Sequence, residues 1–132
     1  YSRSLPIGLR AMAFTYEFDV SMTMDDLGWH FANWHHKEYC EETIRGLKEL
    51  GATEESVIFS NAYKIVLPFW DDINGLLSVD SKSFIDWYRD SELEKSLSPL
   101  NDRLWEMAKA LGKFGFMQHW INYARKYPTN LT

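Results

Sequence analysis

A single cysteine in a chain of 132 residues excludes an internal disulfide, so the core alone must hold the fold. No charged-then-apolar leader and no long uninterrupted apolar run is present, which argues against secretion or membrane spanning and sets the cytoplasm as the expected location. Catalytic signatures are missing too: there is no Gly-x-Ser-x-Gly, no His-Glu-x-x-His, no phosphate-cradling glycine loop and no dinucleotide fingerprint. Asp26 and His30 could pair as acid and base, and Cys40 with a histidine as nucleophile and base, but no orienting group or oxyanion donor can be named for either. The expectation is a non-enzymatic protein without a cofactor. Lys113, Arg125 and Lys126 are too few to neutralise a phosphate backbone, so nucleic acid is not an expected ligand. Repeats, low-complexity tracts and polar linkers are absent as well, which predicts one domain over residues 1–132 with at most a joint at Asp71–Gly75.

What the chain does have is aromatic mass and acid. Phe, Trp and Tyr make up 16% of it, six of them Trp, enough for a bulky core with rings left over for an interface. A domain of this length buries about two thirds of its unfolded surface. The net charge is −5, and twelve acidic residues against four basic ones fall between Ala11 and Asp72. That acidic pole repels phosphates and attracts a basic partner. A homodimer through exposed aromatics such as Trp70 and Trp87 is a further expectation.

Apolar periodicity predicts an all-α helical bundle of six to seven helices. Helix one carries Leu5, Leu9, Met12, Ala13, Tyr16 and Val20 on one stripe and Phe14 and Phe18 on a second. Thr23 with Asp26 suggests a capped start for a short helix through Trp34, with Leu27, Phe31 and Trp34 apolar. From Lys37 to Leu50 a helix turns Cys40, Ile44, Leu47 and Leu50 inward and Glu38, Glu41, Glu42, Arg45 and Glu49 outward, closed by Gly51. Thr53, Glu54 and Glu55 open a central helix, apolar nearly all round from Val57 to Trp70, with a strand over Tyr63–Leu67 as the minority reading. Asp71, Asp72 and Asn74-Gly75 read as a loop. Helices over 82–90, from Ser91, from Ser98-Pro99 through Leu111, and over 116–127 complete the chain.

The residues between helices two and three admit two kinds of site. His30, His35, His36 and Cys40 lie close in sequence, and His36 with Cys40 at i,i+4 could supply two metal ligands, although a closed zinc site needs four. Cys40 also falls in register with Ile44 and Leu47, as a buried thiol would. A metal- or small-ligand-binding helical protein is therefore the alternative to a protein-binding module.

Asp26-Leu27-Gly28-Trp29, then Phe31 and Asn33, then Glu41-Glu42-Thr43-Ile44, Leu47 and Leu50-Gly51-Ala52 resemble a recurring pattern. It is that of the bacterial DNA-mimic protein domain family, in which a glycine-rich hinge precedes a helix with Glu-Glu, periodic Leu and a closing Ile-Gly-Ala. The resemblance covers about residues 13–70. Leu27 stands where the family has its first Gly, and His35-His36 where small polar residues are usual. It implies a small all-helical protein, often dimeric, whose carboxylates imitate DNA phosphates on the basic face of a DNA-binding regulator. An immunity- or antitoxin-like partner would fit the same acidic surface. Glu38, Glu41, Glu42, Glu49, Asp71 and Asp72 are the expected charged contacts, with Glu54 and Glu55 as further candidates and Trp29 and Trp34 as aromatic anchors.

Overall fold

The computed structural model describes residues 4–132, and these form an all-α bundle. The helices are α1 (Ile7–Met24), α2 (Leu27–Asn33), α3 (Lys37–Glu49), α4 (Thr53–Val66), α5 (Trp70–Val79), α6 (Ser81–Tyr88), α7 (Glu92–Leu111) and α8 (Met117–Lys126). Short 3-10 turns at Leu67–Phe69 and Pro128–Leu131 follow α4 and α8. No described residue is in a strand, so Tyr63–Leu67 takes its helical reading.

Close backbone approach sets the first layer. Gly46 lies so near α1 that a Cβ there would sit 2.9 Å from the Ala11 carbonyl oxygen, and the Thr43 hydroxyl donates to the Phe14 carbonyl at 2.7 Å. On α1 the residues Ala11, Thr15, Phe18 and Met22 are buried and Tyr16 is left half in water, so the core stripe of helix one is rotated from the expected one. Thr and Gly, poor hydrophobes, mark the true contact line because they let two backbones meet. Gly51, at φ +81°, ends α3 in a left-handed residue, while the Ala52 amide donates back to the Leu47 carbonyl at 2.9 Å. The chain thereby reverses into α4, whose Phe59, Ala62 and Val66 are fully buried.

At the centre Phe31 stacks on Phe59 with centroids 5.2 Å apart, and Phe18 meets Phe59 edge-on at 5.4 Å. The short helix α2 is tied in at its N-terminal end. Asp26, not Thr23, is its cap and accepts from the Trp29 amide at 3.0 Å, while the Leu27 amide donates to buried Asn101 of α7 at 2.8 Å. Gly28 is required on its inner face, where a Cβ would collide with the Tyr88 phenol.

Two stretches depart from the sequence reading. Residues 71–75 lie inside α5 and are not a loop: Ile73 is buried, Leu76 and Leu77 pack on the core, and Asp71 and Asp72 sit where the positive helix end favours acid. Pro99 does not start a helix but lies exposed within α7, because Leu93, Leu97, Asn101 and Leu104 continue one buried stripe across it. Ser91 caps α7 as expected, accepting from the Glu94 amide at 3.1 Å.

Candidate protein-binding surface

The hinge at 34–36 gathers the elements of interest. His35 lies flat on Trp70, with centroids 3.8 Å apart and planes at 17°, and so joins the end of α2 to the start of α5. Its Nδ1 is 3.0 Å from the Phe31 carbonyl oxygen and its Nε2 2.9 Å from that of Trp70. Both ring nitrogens face acceptors, and a neutral imidazole can donate to only one. Tyr63 approaches Trp70 edge-on at 6.0 Å, its hydroxyl donates to Glu41 at 3.3 Å, and Lys37 holds its ammonium 5.9 Å from the Trp70 ring centroid. Burial first, and then the Glu41 charge, push the Tyr63 hydroxyl up to about 12.

Through these contacts the start of α5 lies against the hinge that opens α3. Glu38 and Glu41 on α3 and Asp71 and Asp72 on α5 are exposed. The other expected carboxylates are engaged elsewhere. Glu42 faces inward, 4% exposed, not outward as the helical wheel suggests. Arg10 grips it with Nε at 3.1 Å and Nη2 at 2.7 Å, and Arg45 adds a contact at 2.6 Å. Burial works to raise its carboxyl, but the hydrogen bonds and charges of the two arginines outweigh that and hold it below the usual range. Glu49, at the other end of α3, accepts from the Tyr123 hydroxyl at 2.6 Å. Glu54 pairs with Arg103 at 2.6 Å, and Glu55 is buried against His119.

The two tryptophans expected as anchors point apart. Trp34 stacks half-buried on Tyr39 at 5.5 Å, whereas Trp29 meets Phe84 of α6 edge-on at 5.4 Å. Trp70, expected on an exposed dimer face, is buried, and Trp87 is half-buried against Phe69 and Phe84. His35 and Trp70 are the pair that builds the surface. The sequence signals them only weakly, through the run Trp-Asp-Asp that begins α5.

The histidines and Cys40 do not converge: His30 and Cys40 are fully buried while His36 is exposed. Among the described residues no group of three or more His, Cys, Asp or Glu side chains could hold a metal. Burial first, and then the Glu41 charge, raise the Cys40 thiol to about 12, which disfavours the thiolate a metal or a nucleophilic step would need. His30 has its Nδ1 2.8 Å from the Ser21 hydroxyl oxygen and no partner at Nε2, and burial lowers it to about 4. No described helix is long and apolar enough to cross a membrane.

Fold and surface together define a helical bundle with exposed carboxylates and an aromatic junction. The model of the DMP19-like protein family matches residues 3–127, and the chain belongs to that family, the DNA-mimic proteins. No curated protein and no solved structure matches it.

Proposed function

We propose that this chain is a non-enzymatic binding module that presents carboxylates to the basic face of a DNA-binding protein and so competes with DNA for it. Membership of the DNA-mimic family supports the class of partner. The observation that carries the reading is the His35–Trp70 stack, which places the start of α5 against the hinge that opens α3, with Glu38 and Glu41 exposed on α3 and Asp71 and Asp72 exposed on α5. DNA presents about one charge per 1.7 Å of axis, so an imitator needs carboxylates on a stiff frame with little cation among them. Lys37, with its ammonium 5.9 Å from the Trp70 ring centroid, is one cation beside the set, while Arg10 and the exposed Arg45 have their charge matched by buried Glu42 at the α1–α3 seam. Glu49 and the two tryptophans are not part of this set, being held by other contacts.

Neutralising the four as Glu38→Gln, Glu41→Gln, Asp71→Asn and Asp72→Asn keeps their shapes and tests the reading. The immobilised wild-type protein should retain a basic DNA-binding protein from host lysate. That protein should be released by duplex DNA and by about 1 M salt, where the screening length falls to about 3 Å. The quadruple variant should melt within a few degrees of wild type and retain none. Retention that survives the four changes and is indifferent to salt and DNA would rule the decoy out.

A further inference from the structure

Away from the acidic surface, the end of α1, the end of α7 and the start of α8 enclose an open groove of about 490 Å³. Its walls include Met22, Ala108, Lys109, Lys113, Phe114 and Met117. Trp105 borders it, since the indole N–H donates to the Met22 carbonyl at 3.0 Å. Apolar side chains that could have been tucked in are held out here. Phe114 is 50% exposed, Trp105 42%, Met117 40%, and Met24, just beyond Thr23 of the wall, 79%. The backbone enforces this for Phe114. It sits between Gly112 at φ +92° and Gly115 at φ +53°, in a turn closed by the Gly115 amide on the Gly112 carbonyl at 3.0 Å. Side chains other than glycine rarely take those angles, so the sequence keeps two costly glycines to display one phenylalanine.

The charge at the groove is opposite to that of the protein as a whole. Lys109 and Lys113 line it, and neither makes an ion pair with a described residue; Lys113 lies 5.5 Å from the Phe114 ring centroid. Asp19 is the one carboxylate among the lining residues, half-buried, with its carboxyl raised by burial. Exposed apolar residues beside unpaired lysines are complementary to a segment that is itself apolar on one side and acidic on the other.

We infer that this groove docks an acidic amphipathic helix of a partner protein, which places aromatic or leucine side chains against Phe114, Met117 and Trp105 and carboxylates against Lys109 and Lys113. The site is independent of the acidic surface and of what binds there. Because the chain carries a net charge of −5, attraction of an acidic peptide has to come from this local pair of lysines.

The probe is a fluorescent helical peptide of about 16 residues, with Phe and Leu at i,i+4 spacing and Glu elsewhere, beside a twin in which Lys replaces every Glu. Anisotropy should show saturable binding of the acidic peptide and none of its twin. Phe114→Ala and the pair Lys109→Glu with Lys113→Glu should each weaken it about tenfold or more, at unchanged melting temperature. All three positions are exposed, so these variants are expected to fold. The neutralised acidic-surface variant should bind the peptide as wild type does, which separates failure of this inference from failure of the decoy reading. No binding of the acidic peptide, or equal binding of its twin, overturns the inference. So does sedimentation showing that Phe114→Ala dissociates a homodimer, or binding to phosphatidylserine vesicles in place of the peptide, since either assigns the face to another occupant.

Discussion

Glu42 shows how one residue can look like a ligand and act as a fastener. It falls on a helix whose neighbours Glu38 and Glu41 face water, yet its carboxylate closes the seam between α1 and α3 against Arg10 and Arg45. A charge-assisted hydrogen bond contributes about 1.5–3 kcal/mol. Glu42→Gln retains the shape and loses the charge, so chemical denaturation at neutral pH should find it destabilised by about 1–3 kcal/mol, the arginines recovering part of the loss by hydration. The sign with pH is fixed. A carboxyl held below its ordinary value adds stability above that value and loses it as pH falls through the lowered one. The gap between variant and wild type should therefore close in acid below the usual glutamate range of about 4.3. A variant as stable as wild type at neutral pH would mean the arginine clamp contributes nothing. Glu41, by contrast, is exposed and accepts from the Tyr63 hydroxyl at 3.3 Å, a bond that Gln can keep.

Among the elements, α5 is the one that sequence patterns conceal. Gly75 lies in its interior, exposed, without a positive φ, and a Cβ there would meet nothing within 4 Å. Gly75→Ala should raise stability by about 0.5–1 kcal/mol, by removing unfolded freedom and adding helix propensity, and a thermal melt would read it. A lowered melting temperature would show that this glycine has a role the backbone does not reveal. Asn74-Gly75 reads as a turn because those residues favour one locally, but Ile73, Leu76 and Leu77 recur at helical spacing and packing on the core decides the outcome. The same competition carries α7 through Pro99. Legible parts were those whose local and tertiary preferences agree: α3 with its Gly51 stop, α4 with Glu54 and Glu55 in its first turn, and the start of α7 with its Ser91 cap. Of the candidate surface, Glu38 and Glu41 were readable as outward acids of a helix, whereas Asp71 and Asp72 were readable as acids but not as the first turn of α5. The His35–Trp70 stack that sets α5 against the hinge spans 35 positions, and no local pattern records it.

At the scale of the molecule, a histidine sits where most proteins place a hydrophobe. His30 meets Phe18, Phe31 and Phe59 at 5.4–6.3 Å, with Nε2 buried and without a hydrogen-bond partner among the described residues. Above pH 6.5 neither folded nor unfolded chain charges it, and stability is level with respect to this group. Below that value the unfolded chain takes up a proton that the folded one refuses until about pH 4, so stability falls across the window. At 1.36 kcal/mol per unit the loss reaches about 3 kcal/mol. Denaturation curves collected from pH 7 to 4 should show this slope in the wild type and a flattened one in His30→Phe. Equal slopes would assign the acid sensitivity to other groups. Acid thus loosens the centre of the bundle, while the two exposed faces, one of carboxylates and one of lysines with displayed apolar rings, lie on its outside. The sealed Cys40 has a practical consequence for both. Since the chain's single thiol is buried, a cysteine introduced beside Phe114 or beside Asp72 can be alkylated alone, and a dye at either position would report on occupancy of that face.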